Sequence, residues 1–267
     1  MKSDSNNQPD SDRSCFYRKF DEDYFETDTY ENVSFARYSQ YWWSNRFYAN
    51  LARRFGHPSG LLLEIGCGLG HLVGRLEGTF FTYGLDVNPW ALQKATQEAP
   101  NTPLSMGSVE DLPFSSNSFD VIIIKHVVEH LPRPEQAIRE LGRTLAPGGI
   151  LILSAPNLDS LLKPIKGKDW IGYKDPTHIS LKPPNDWLDL LRLEGALLVD
   201  KVFSDGFWDT PYIPLVPEKI QKLIFGSLGG FQALTGWIFL PPRWGESIII
   251  IARKGAGLSQ EYKPGQL

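Results

Sequence analysis

Apolar residues along the chain fall into short unbroken runs, separated by stretches where they recur every three or four positions. The runs Leu61–Ile65, Phe81–Leu85, Leu104–Met106, Val121–Lys125, Ile150–Ser154, Leu197–Phe203 and Ser247–Ala252 predict strands. The periodic stretches between them predict helices. One begins at His71 and runs to Leu76. Asn88 caps a second, with Pro89 at its first position, running toward Glu98. Pro134 opens a third, in which Ala137, Ile138, Leu141 and Leu145 share a face and Gly148-Gly149 provide the stop. Asn185 caps a fourth over Trp187–Leu193. Alternating strands and helices, with strands apolar throughout, mean an α/β fold. Its seven-stranded, mostly parallel sheet has helices on both faces.

The flanks add segments to this core, which spans 58–203. Residues 1–14 read as a disordered tail. Residues 15–57 read as an aromatic helical N-terminal cap, with Tyr38, Trp42 and Arg46 one turn apart. Residues 204–246 form an insertion before the last strand (247–254), too long for a hairpin loop, and 255–267 read as a C-terminal tail. Within the insertion, 223–242 carries no charge over 20 residues. That length would cross a bilayer, but four glycines, Ser227, Gln232 and Thr235 weaken the pattern. A spanning helix, an interfacial or acceptor-covering helix, and ordinary packing all stay open.

Composition narrows the class. With 42% apolar and 22% charged residues in 267, collagen-like, coiled-coil and wholly disordered chains are excluded. The net charge of −4 comes from an acid excess in residues 1–31, and no basic run stands out, which disfavours nucleic acid as a partner. Two cysteines, Cys15 and Cys67, give no disulfide framework, and the polar N-terminus lacks the apolar stretch of a signal peptide. A cytoplasmic protein is expected, with membrane association through 223–242 as an addition.

The chemistry concentrates after the first strand, in Glu64-Ile65-Gly66-Cys67-Gly68-Leu69-Gly70. Glycines at alternate positions let the backbone turn tightly and approach a ligand. A Gly-rich strand–helix turn alone could equally open a dinucleotide site. Here the spacing is G-x-G-x-G, and the acid Glu64 stands where a pyrophosphate would be repelled. It suits a ligand with a cationic amino-acid end. Asp86, ending the second strand, can take two ribose hydroxyls.

At these residues the chain resembles the class I S-adenosylmethionine-dependent methyltransferases, and through YWWSNRF near the start and DPTHIS (175–180) it resembles the branch acting on small molecules, lipids or sugars. The matching segments are LLLEIGCGLG (61–70), YGLDVN (83–88), GSVEDLPF (107–114), SFDVIIIKHVVEHL (118–131) and LAPGGILILSAPN (145–157). The resemblance implies a Rossmann-like fold and S-adenosylmethionine as cofactor, leaving S-adenosylhomocysteine. It places Gly66, Cys67, Gly68 and Gly70 under the methionine part, with Glu64 orienting the loop and the amino group. Asp86 falls on the ribose and Val87 on the adenine. Ser108, Val109 and Glu110 fall at the adenine edge; many relatives carry Asp where Ser108 stands. Lys125 and His126 fall where methyl donor and acceptor meet.

Methyl transfer from a sulfonium needs alignment and, for some acceptors, a base. His126 and His178 are the candidate bases. His126, Glu129 and His130 form H-x-x-E-H, similar to the E-x-x-E-H segment of metal-assisted methyltransferases. The same segment is common in metal-free relatives, so no metal is expected, and Glu129 and His130 with His126 and His178 remain the metal alternative. Tyr38, Tyr41, Trp42, Trp170, His178 and Trp208 are the expected acceptor walls. Aromatic, uncharged walls favour a small apolar, sugar-like or lipid-linked acceptor, with O-methylation the first guess. A catalytically silent, cofactor-binding partner subunit also stays open.

Overall fold

The computed structural model describes residues 20–27, 33–206, 210–213 and 215–255. The elements run α1 (Glu22–Glu26), α2 (Gln40–Phe55), β1 (Leu61–Ile65), β2 (Phe81–Asp86), α3 (Pro89–Glu98), β3 (Leu104–Met106), β4 (Phe119–Lys125), α4 (Pro134–Thr144) and β5 (Leu145–Pro156). There follow α5 (Lys163–Lys166), α6 (Ile171–Lys174), α7 (Pro184–Leu193), β6 (Leu197–Ser204), α8 (Glu218–Thr235) and β7 (Ser247–Lys254). The sheet has seven strands in the order β3-β2-β1-β4-β5-β7-β6. The β3-β2-β1-β4-β5 pairings are parallel, and β7 runs antiparallel between β5 and β6.

Burial on both faces explains the unbroken apolar runs. Leu63, Ile65, Ile122, Ile124, Ile248 and Ile250 pack toward α4 and α7, against Ile138, Leu141, Trp187 and Leu191. Their neighbours Leu62, Val121, Ile123, Ile249 and Ile251 pack on the other face, against Phe47, Tyr48 and Leu51 of α2. Asp120 holds the entry of β1 by accepting from the Leu61 N–H at 2.8 Å.

Three sequence expectations change. The helix from His71 is a single 3₁₀ turn, Val73–Leu76. A Cβ at Gly74 would lie 2.3 Å from the Glu98 carbonyl oxygen, so the chain here is pressed against the end of α3. Leu145 does not extend α4. It opens β5 opposite Phe119, and Pro147 two residues on keeps the chain from continuing the helix. Gly148, at φ +78°, turns within that strand instead of stopping a helix. Finally, α7 starts at Pro184, with Asn185 inside its first turn.

The insertion holds one long helix, α8, which packs on α2. Among the described residues no helix is long and apolar enough to cross a membrane, so the spanning reading of 223–242 is withdrawn. The expected tails, 1–14 and 255–267, lie outside the described residues except for Gly255.

Candidate active site at the carboxyl edge of the sheet

The ends of β1, β2, β4, β5 and β6 and the start of β7 meet at one edge. The glycine loop leaves β1 there. Gly66, Gly68 and Gly70 all have left-handed backbone, at φ +69°, +49° and +82°. A Cβ on Gly66 would lie 2.3 Å from Val127 Cγ2, so space as well as backbone requires glycine. The N–H groups of Gly66 and Cys67 donate to the Leu85 carbonyl, tying the loop to β2. Cys67 is buried, and burial pushes its thiol pKa well up, leaving it inert.

Asp86 lies at the end of β2. Its carboxylate accepts from the Gly68 N–H at 2.7 Å and the Asn88 N–H at 2.9 Å, so one side chain fixes both the loop and the next turn. Asn88 then caps α3, as the sequence predicts. Val87 is half-buried beside it. Ser108 accepts from the Glu110 N–H, and the Val109 side chain sits in the core. Glu110 is otherwise engaged. Its two oxygens accept from the Arg133 backbone N–H (2.7 Å) and guanidinium (2.9 Å), so it latches the start of α4.

Next to the loop is a buried charged cluster. Burial raises the Glu64 pKa to about 8, against the pull of Lys125 and the Val73 N–H. Burial also lowers Lys125 to about 8, against Glu64 and Asp205, and raises Asp205 to about 7. The Lys125 ammonium donates to Asn45 Oδ1 at 2.8 Å and lies over the rings of Tyr41 and Tyr48, 5.1 and 4.9 Å away. Glu64 Oε2 is buried without a hydrogen-bond partner. An unpaired carboxylate oxygen at the base of a glycine cradle suits a ligand's ammonium group, and Asp86 suits a diol. The residues therefore fit S-adenosylmethionine.

Of the expected acceptor walls, Tyr41 stands by Lys125. Trp42 faces Arg75, 4.4 Å from its ring, in a cluster with Trp43 and the exposed Tyr38. Trp170 is fully buried and walled by Gly172, so it is packing and not an acceptor wall. Trp208 lies outside the described residues. His126 adopts φ +52°, and its Nδ1 and Nε2 contact Glu129 (3.0 Å) and Ser247 (3.2 Å). Glu129, His130 and His178 converge, with His130 and His178 ring centroids 4.6 Å apart. The expected helical H-x-x-E-H face is a 3₁₀ turn, Val128–His130.

The sequence reading missed Asn45, Tyr48, Asp175, Thr177 and Asp205. Asn45 carried one signal, an uncharged polar residue inside an otherwise apolar helical face. It also missed α1 as a cover. The Phe25 ring lies 3.6 Å from where a Gly68 Cβ would stand and stacks on Trp90. The Tyr24 hydroxyl donates to Asp175 at 3.0 Å, and Asn88 donates to the Asp21 carbonyl at 3.1 Å.

A family model described as a methyltransferase domain matches residues 63–153. The 2-methyl-6-phytyl-1,4-hydroquinone methyltransferase of Synechocystis is 26% identical over 68% of this chain and 60% of its own length. The ubiquinone biosynthesis O-methyltransferase of Cereibacter sphaeroides is 32% identical over 55% of this chain and 65% of its own. The chain thus spans less than two thirds of either. Among solved structures, a SAM-dependent methyltransferase from Archaeoglobus fulgidus aligns over 79% of this chain and 94% of its own, with TM-score 0.52 and 21% identity. The cyclase SpnF aligns over 79% of this chain and 82% of its own, with TM-score 0.55 and 21% identity, so this fold carries more than one reaction. Residues 63–153 thus match a methyltransferase domain, and the fold around them is that of class I S-adenosylmethionine-dependent methyltransferases.

Proposed function

We propose that the protein methylates an oxygen of an apolar, membrane-borne acceptor. The observation that carries this reading is the inverted helix α8. Ile220, Leu223, Ile224, Leu228, Phe231 and Leu234 recur at helical spacing along one stripe, and all are exposed, Leu223 at 73%. The polar Gln221 and Gln232 are buried instead. Gln221 makes four hydrogen bonds, to the backbone of Tyr212, Ile213 and Val216, at 2.6–2.9 Å. Polar contacts thus anchor the helix while its apolar stripe faces outward, with Trp237 exposed just beyond its end. Such a stripe is costly in water and favourable at a lipid interface. Lys219, Arg243 and Lys222, the last paired with Glu218, are exposed on this part of the chain and complement anionic headgroups. Two quinone-pathway methyltransferases among the relatives support an apolar acceptor.

In this reading Glu64 receives the cofactor's ammonium, and Gly66, Gly68 and Gly70 let the backbone close on its methionine part. Asp86 holds the ribose, and Val87, Ser108 and Val109 border the adenine. When bound, the cofactor supplies an electrophilic methyl on a sulfonium and a neutral thioether leaving group. Lys125, fixed by Asn45 and the two tyrosine rings, stands at the acceptor end with Tyr41 as a wall. Proximity and alignment there carry most of the rate.

The test is flotation with vesicles containing anionic lipid, coupled to transfer of labelled methyl into a lipid extract. Wild type is expected to float and to label a lipid. The pair Leu223→Lys and Phe231→Lys is expected to abolish flotation and leave S-adenosylmethionine binding intact. Labelling confined to water-soluble compounds, with no flotation, would overturn the proposal.

A further inference from the structure

Beside the acceptor end, Glu129, His130 and His178 bring one ligand atom each to within 4.8 Å of one another. Glu129 is fully buried. Its Oε1 contacts His126 Nδ1, but Oε2 is buried with no hydrogen-bond partner. A carboxylate oxygen left so is costly unless something fills the space it faces.

The imidazole protons are fixed by their neighbours. His178 Nδ1 lies 3.0 Å from the Gly172 carbonyl, which can only accept, so Nδ1 carries the proton and Nε2 keeps its lone pair. The Thr177 hydroxyl donates to Asp175 Oδ1, so at 2.9 Å it accepts from His130 Nδ1, and His130 Nε2 likewise keeps its lone pair. Asp175 is held in turn by the Thr177 N–H and the Tyr24 hydroxyl. Two proton-free ring nitrogens and one carboxylate thus converge, with His178 Nε2 4.0 Å from Glu129 Oε1. This is how metal-binding histidines are oriented, each tied through its other nitrogen to an oxygen acceptor.

We infer that Glu129, His130 and His178 form a binding site for one divalent first-row transition ion, zinc above all. Two imidazoles and one carboxylate leave a fourth position open on a tetrahedral ion, for water or an acceptor oxygen. The site needs no cofactor and holds whether or not methyl transfer follows, so its failure and that of the proposed function are distinguishable. His126 acts on it as a positioning residue, through its bond to Glu129 Oε1.

The experiment is a cobalt titration of untagged full-length protein, stripped with chelator and desalted, followed by visible absorption and zinc displacement. Wild type is expected to bind one Co²⁺ with a tetrahedral-type band that zinc abolishes, and saturating zinc is expected to raise its Tm. The double variant His130→Asn/His178→Asn is expected to lose the band. Thr177→Val keeps the shape but frees the His130 tautomer, and is expected to bind about 10- to 100-fold more weakly. His71→Ala, at the surface pair with Glu98, is expected to bind as wild type. If stripped wild type gives no band, or binding survives unchanged in both the double variant and Thr177→Val, the site is not a metal site.

Discussion

Glu64 and Lys125, a buried acid and a buried base at neighbouring strand ends, have pKa values brought to the same figure, about 8, from opposite sides. Burial drives both, and each limits the other's shift. Since the folded pKa of Glu64 exceeds its ordinary 4.5, its contribution to stability is full below about pH 4.5 and is lost as pH rises through about 8.

A pH dependence of cofactor binding follows. Glu64 must ionise to face an ammonium, so binding below pH 8 expels a proton. S-adenosylmethionine affinity is expected to rise about tenfold per pH unit between roughly pH 6 and 7.5, where an α-amino group is still charged. Calorimetry in buffers of different ionisation enthalpy will count the released proton. Glu64→Gln is expected to flatten the profile; an unchanged slope would assign the proton to another group.

Asp86 supports the Gly68 loop and is expected to hold the ribose. Asp86→Ala removes charge-assisted hydrogen bonds worth roughly 1.5–3 kcal/mol each, so S-adenosylmethionine Kd is expected to rise about 100-fold. Titration of both proteins checks this, with thermal unfolding to show the variant folded. Equal Kd values would remove Asp86 from the site.

Two glycines separate backbone strain from crowding. Gly78, at φ +74°, has nothing within 4 Å of its would-be Cβ, so Gly78→Ala is expected to cost about 1–2 kcal/mol. Gly66→Ala adds the collision with Val127 and is expected to cost about 2–5 kcal/mol, through strain and overpacking together. Denaturant unfolding of the pair measures the difference.

The latch between Glu110 and Arg133 joins the loop after β3 to the start of α4. Arg133→Ala leaves a buried carboxylate short of a partner and is expected to cost about 1–3 kcal/mol. Cofactor affinity is expected to change little, since Glu110 points at Arg133. A large loss of binding at unchanged stability would return Glu110 to the cofactor site.

How far these features could be read in the sequence depended on range. The strands were legible because both sheet faces are covered, which makes Val121–Ile124 apolar without alternation. The placing of Gly66, Gly68, Gly70 and Asp86 together at one sheet edge was legible because a strand end, a turn and an acid lie close in sequence. The tie of Glu110 to Arg133 and the burial of Trp170 were not legible, since nothing local shows that Arg133 claims one carboxylate or that Gly172 makes room for one indole. The tie from Thr177 to His130 spans 47 residues, and that from Lys125 to Asn45 spans 80, so no local pattern shows either. The face of α8 was undecided because its apolar residues point outward, the reverse of the usual pattern.

The placement of β7 bears on how the protein is made. A ribosome releases β5 and β6 before residues 247–254, yet β7 is the strand that lies between them. Until then β5 and β6 each present an unpaired edge where a partner belongs, and the isoleucines Ile248–Ile251 that fill both faces are missing. Such edges invite pairing with other nascent chains. The final stretch of sheet therefore acts as a keystone, and the interval before it emerges is when the chain most needs a chaperone's cover.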